Sequence, residues 1–222
     1  MKLNIRIKHL LVVTMACLVW SSCKKDSPYR DYQNEITEFN GNVVQYLETQ
    51  QTTFSSLLMV LNRTPDLKTA LSDSKVTLFA PTNDNFAAAL YELNQVRTEQ
   101  GKAAVTLENA DLTELEIMMD KYIIAGRNIT DFYKPFLDGS YASSIKFKYQ
   151  MHIQYQKQNA SGYQGGGPVS VTFSDPKNLT VKTNWQRTVT NAVNIKTSNG
   201  IINILSPTHI FGFGDFTNKL NK

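Results

Sequence analysis

Cysteine and histidine are scarce in this chain of 222 residues, with two of the first and three of the second. Neither His152 nor His209 has a second His, Cys or acid at ligand spacing, so the residues nominate no metal site. No Gly-x-Ser-x-Gly elbow occurs, and Gly165-Gly166-Gly167 lacks the Gly-Lys-Ser/Thr ending of a phosphate cradle. Asn83-Asp84-Asn85 has no glycine two residues on and no closing Glu, so it reads as a helix start and not as a calcium loop. These absences leave no catalytic, cofactor-binding or metal-binding residue to name. A Ser-His-Asp triad is assembled in space and leaves no sequence trace, so a hydrolase is the weakest reading without being closed. Long apolar runs are lacking too. The longest is Leu10 to Trp20, interrupted by Thr14, and its eleven residues would rise only about 16 Å as a helix, half of a hydrocarbon core.

What stands at the start is a basic, acid-free segment, that apolar run, then Ser21, Ser22 and Cys23. This is the order of an export signal. Val-Trp-Ser-Ser-Cys resembles a lipobox with Trp20 in place of the usual Leu, and it implies cleavage before Cys23 and acylation of its thiol. Cys17 would leave with the signal, so Cys23 would have no disulfide partner, and acylation needs none. Several acyl chains on one residue hold a protein to a membrane where one does not. Removal of Lys2, Arg6 and Lys8 leaves 20 basic residues against 19 acidic, a net charge of +1. The basic balance belongs to the signal, and no nucleic-acid partner is expected.

The expected organisation is a signal over 1–22, a polar tether over 23–39, one domain over 40–216 and a tail over 217–222. Apolar spacings of three and four predict helices around Val43–Leu47, Phe54–Leu61, Leu67–Leu71, Asn83–Val96 and Leu112–Ile124, the last stopped by Gly126. Lys75 to Pro81 reads as a short strand closed by proline. Ile145, Phe147, Tyr149, Met151, Ile153 and Tyr155 alternate with polar residues, predicting one long strand with a dry and a wet face. It pairs in expectation with Val169–Phe173 through a glycine loop, an elongated β-hairpin. Shorter strands are expected near Leu179–Thr183, Val189–Ile195, Ile201–Leu205 and Thr208–Phe213. Helices preceding strands make the class α+β.

Two segments resemble the fasciclin domain. Thr77-Leu-Phe-Ala-Pro-Thr-Asn-Asp-Asn-Phe-Ala-Ala-Ala-Leu90 looks like the strand, proline turn and capped helix of that family's first signature, and Ser198-Asn-Gly-Ile-Ile-Asn-Ile-Leu205 looks like its closing one. The resemblance covers roughly residues 40 to 214 and implies a wedge of two β-sheets flanked by helices, with a role in adhesion or extracellular binding. Where the family often carries a Tyr-His pair this chain has Lys121 and Tyr122, so adhesion through that pair does not carry over, and Tyr122 is either core or contact. Aromatic residues in the poorly matching segments, Tyr141, Tyr163 and Trp185, are candidates for stacking on a partner unless they fill the core. The candidate partner-binding residues are Lys121, Tyr122, His152, Tyr163 and Trp185, with Cys23 for lipidation. The expected partners are the membrane through Cys23 and a surface protein, a matrix component or a polysaccharide, the alternative to adhesion being a glycan-binding accessory lipoprotein of an outer-membrane polysaccharide-uptake system. The expected location is the outer membrane of a diderm envelope.

Overall fold

In the computed structural model, residues 37–160, 162 and 164–222 are described. The proposed signal and Cys23, together with Tyr163, lie outside them. Three helices come first: α1 (Val43–Thr49), α2 (Gln51–Arg63) and α3 (Pro65–Asp73). Asn42 caps α1 by accepting from Gln45 N–H at 2.9 Å, while Gln45 Oε1 accepts from Asn42 N–H at 2.9 Å. Pro65 opens α3, where its missing N–H costs nothing. Strand β1 (Val76–Ala80) follows, buried at every position, and then helix α4 (Asn83–Glu99).

Helix α5 (Leu112–Asp120) ends earlier than its apolar spacing predicts, because Ile123–Ala125 leaves the helix as strand β2 and pairs antiparallel with β1. Gly126, at φ +96°, ends a strand rather than a helix. Strands β3 (Ser140–Ser143), β4 (Gln150–Lys157), β5 (Val169–Asp175), β6 (Gln186–Lys196) and β7 (Gly200–Leu205) complete one mixed sheet, ordered β2-β1-β7-β6-β5-β4-β3. The class is α+β. The two sheets implied by the resemblance are two halves joined through β6, which pairs with β5 early and with β7 late, across register shifts between Thr190 and Ile195. The halves also meet at their far edges: Ile124 bridges Ser144, and Ile145 N–H donates to Ile123 O at 2.8 Å.

Four further expectations are corrected. The long strand starts at Gln150 and not at Ile145, since 145–149 is a turn wrapped on the buried Asp120 carboxylate, which accepts from Lys146 N–H (2.8 Å), Phe147 N–H (2.9 Å) and the Ser144 hydroxyl. Leu179–Thr183 and Thr208–Phe213 are not strands; the first leads into a single 3-10 turn and the second is a chain of turns carrying Phe213 at φ +52°. The presumed tail is helix α6 (Asp215–Leu220), whose Phe216 and Leu220 are buried in the core.

Two asparagines, one in each signature segment, clamp the chain to its neighbours. Asn85 is fully buried; its Oδ1 accepts from Thr82 N–H (2.8 Å) and its Nδ2 donates to the carbonyls of Ser206 (2.9 Å) and His209 (2.8 Å). Asn199 donates to the carbonyls of Leu71, Ser72 and Ser74 at 2.8, 3.1 and 2.9 Å and accepts from Val43 N–H at 3.1 Å, joining the end of α3 to the start of α1. Beside it, a Cβ on Gly200 would stand 2.5 Å from Val43 Cγ2, so glycine is required there by close packing.

Candidate partner-binding face

Strands β3 to β6 turn one face to the core through Met151, Ile153, Val171 and Phe173. Period-two alternation gives the opposite face to their neighbours. Register lines up Tyr141, His152, Ser174 and Arg187 across the four strands, and Gln154, Thr172 and Val189 in the next row. Small side chains on β5 between larger ones on β4 and β6 make this outer face a shallow trough.

One end of the trough is built by aromatics. Trp185, just ahead of β6, has its ring 4.9 Å from that of His152 and 6.0 Å from that of Tyr141, and the Tyr141 and His152 rings are 5.3 Å apart. The Trp185 indole N–H donates to Leu179 O at 2.7 Å, fixing the ring. His152 Nε2 lies 2.9 Å from Asp138 O, and since a carbonyl only accepts, Nε2 carries the proton. Burial pushes the His152 pKa down, with Lys182 and Arg187 adding to it, while the Asp138 carbonyl opposes. A Cβ on Gly139, at φ +79°, would meet His152 Cε1 at 2.3 Å; glycine lets this loop lie on the histidine. The sequence places His152 on a wet face, and it does point outward, but Trp185 and the 138–139 backbone leave it 4% exposed.

Trp185 is likewise buried, at 6%, and acts as the floor of the cluster, whereas Tyr141 stands 57% exposed above it. Leu179, Val181 and Val189 are exposed around the rim, and the Lys182 ammonium lies 5.9 Å over the Trp185 ring. The arrangement is a fixed aromatic base, an apolar rim and nearby cations, suited to contact and lacking an arranged nucleophile.

Lys121 and Tyr122 are elsewhere and inward. Lys121 Nζ lies 2.8 Å from Asp175 Oδ2 and 2.8 Å from Asp215 Oδ2, with the Tyr149 ring 4.5 Å away. Tyr149 OH donates to Asp175 Oδ1 at 2.8 Å, and Lys177 pairs with Asp215 at 2.7 Å. Burial alone would raise the Asp215 pKa, but Lys121 and Lys177 hold it below the usual carboxylate range. Tyr122 is fully buried; its oxygen accepts from Gly212 N–H at 2.8 Å and lies 2.8 Å from His209 Nε2. Because the Gly212 amide already donates to this oxygen, the Tyr122 O–H is assigned as hydrogen-bond donor to Nε2, which makes His209 the Nδ1–H tautomer. Burial raises the Tyr122 pKa well above its usual value and lowers that of His209 to about 3. Tyr122 is therefore core, and its histidine partner comes from a segment 87 residues away. Neither Lys121 nor Tyr122 offers surface to a partner in this arrangement.

The rim residues Val181, Lys182 and Arg187 were not legible as a site. The only local signal was Trp185 in an irregular stretch.

No family model matches the chain, and no curated protein matches it. Its fold is similar to a solved structure described as a novel fold revealed by a FAS1 domain pair from the insect cell adhesion molecule fasciclin I, with a TM-score of 0.46 and 12% identity over 76% of this chain and 55% of that one. The chain thus spans about half the length of that neighbour.

Proposed function

We propose that this chain is a non-enzymatic, fasciclin-like lipoprotein, anchored through Cys23, whose outer β3–β6 face binds a macromolecular partner at the cell surface. The observation that carries the reading is the aromatic cluster: Trp185 and His152 are held rigidly from beneath, and the ring they support, Tyr141, is left exposed among apolar side chains. Exposed large apolar groups on a rigid base are where binding energy concentrates. The two asparagine clamps at the signature segments support the fasciclin-like part of the reading.

The test is binding of the mature chain to surface and matrix proteins and to a polysaccharide panel, with and without Tyr141→Ala and Val181→Asp. A loss of at least tenfold, about 1.4 kcal/mol, with an unchanged melting temperature is expected. Equal binding by the double variant would move the site off this face. Retention on polysaccharides alone would replace the protein partner with a glycan, to which an exposed tyrosine ring can also stack. Cys23→Ser is expected to give unprocessed or shed protein; a normal mature mass in the membrane fraction would refute the anchor.

A further inference from the structure

The described residues show a second concentration of exposed apolar groups, on the turn that precedes β3. Phe132, Phe136 and Leu137 are 53%, 45% and 88% exposed within six residues, and Lys134 between them is exposed as well. The Phe132 and Phe136 rings lie 6.3 Å apart, so they form one knob. The knob is held at both ends. Thr130 N–H donates to Asn194 Oδ1 at 2.8 Å and its hydroxyl accepts from Asn194 Nδ2 at 2.8 Å, while Gln154 donates to Leu137 O at 2.9 Å. Tyr133, between the exposed rings, is buried. The hydrogen bonds at both ends and the buried Tyr133 ring hold the turn with these apolar groups outward.

The place where the N-terminal segment joins the domain bears on what covers them. Lys196 N–H donates to Thr37 O and Phe39 N–H to Lys196 O, both at 2.8 Å, so the segment that follows the lipidated cysteine docks two residues from Asn194, which holds the turn. From Cys23 to Thr37 is 14 residues, at most about 50 Å of chain. Any membrane holding Cys23 is therefore within reach of the base of this turn.

We infer that Phe132, Phe136 and Leu137 are a membrane-contacting knob, seated in the interfacial layer of the same bilayer that holds Cys23, with Lys134 at the headgroups. These six residues alone present far less than the roughly 800 Å² per partner that a stable protein interface buries, and the adjoining β3–β6 face, which begins where Asp138 O meets His152, is assigned above to a different partner. A lipid surface needs no such area: a few apolar side chains beside a cation bind it weakly on their own, which excess lipid reveals, and the anchor multiplies that weak binding by effective concentration. The consequence is orientation: the domain rests on its turn instead of swinging freely. The inference rests on the lipidation of Cys23 for its biological setting and not for its measurement.

The measurement uses the mature chain carrying Cys23→Ser, which has no acyl acceptor, and a large excess of vesicles of phosphatidylethanolamine with phosphatidylglycerol. Co-sedimentation is expected, and changing Phe132, Phe136 and Leu137 to Ser should weaken it at least tenfold. Because the three side chains are exposed, the triple variant should melt as the parent does. Leu137→Cys in the same background, labelled with an environment-sensitive dye, should shift to the blue on adding vesicles. No vesicle binding by the parent, equal binding by the triple variant, or self-association abolished by the serines would each overturn the inference, the last in favour of a second copy. Acyl labelling of the wild-type chain is scored separately: vesicle binding without acylation refutes the anchor alone, and acylation without vesicle binding refutes the knob alone.

Discussion

Acidification should unfold this domain partly through one imidazole. His209 is 6% exposed, its Nε2 accepts a hydrogen bond from the Tyr122 hydroxyl, and its folded pKa is about 3 against about 6.5 in the unfolded chain. The unfolded state therefore binds the extra proton first. Stability from this residue is complete above pH 6.5 and is lost progressively as pH falls from 6.5 towards 3. Two pH units below 6.5, at about 1.4 kcal/mol per unit, the loss relative to pH 7 is about 2.5 kcal/mol. Carboxylates and His152 titrate as well, so the informative quantity is a difference. His209→Gln keeps a carbonyl oxygen that can accept from Tyr122 and cannot be protonated in this range. Urea unfolding of both proteins at pH 7 and pH 4.5 should show the parent losing about 2.5 kcal/mol more than the variant. A difference under about 0.5 kcal/mol would mean that His209 is open to solvent or rearranges at no cost, and the buried pair would be misread.

Further outcomes follow from the same interior. Lys121→Met should cost about 3 to 5 kcal/mol by leaving Asp175 buried and unpaired, and adding Asp175→Asn should recover part of it, as read by urea midpoints. Asn199→Ala should cost about 3 kcal/mol, since three carbonyls and the Val43 amide lose their partner; a melting temperature equal to the parent's would remove the clamp from the account. Phe86→Ala should cost about 3 to 5 kcal/mol, because its ring is buried 4.3 Å from that of Phe211.

The elements legible in the sequence are those decided within a few residues. Pro81 and Thr82 end β1 and start α4 whatever surrounds them, and Asn199-Gly200 makes its turn locally. What was illegible was decided at a distance. Residues 145–149 alternate as a strand would, but Asp120, some 26 residues earlier, takes the amides of Lys146 and Phe147 that a neighbouring strand would otherwise satisfy. Ile123 and Ile124 extend the apolar spacing of α5, yet β1 offers them a buried ladder and the chain leaves the helix at Lys121. Trp185 was legible as aromatic, but its burial depends on His152 and Tyr141 arriving from other strands. The same holds for Tyr122, whose partner His209 no local pattern connects to it.

The meeting of β2 with the start of the 144–149 turn has a consequence for life at high density. A sheet normally ends in two rows of unpaired amides and carbonyls, a template on which another copy can add a strand. Here β2 is three residues long, and Ser144 and Ile145 occupy its outer side, so that row is already spoken for. The other terminal strand, β3, has four residues. Copies brought together at high concentration would thus find little to zip together, and growth into fibres would lack a starting rung.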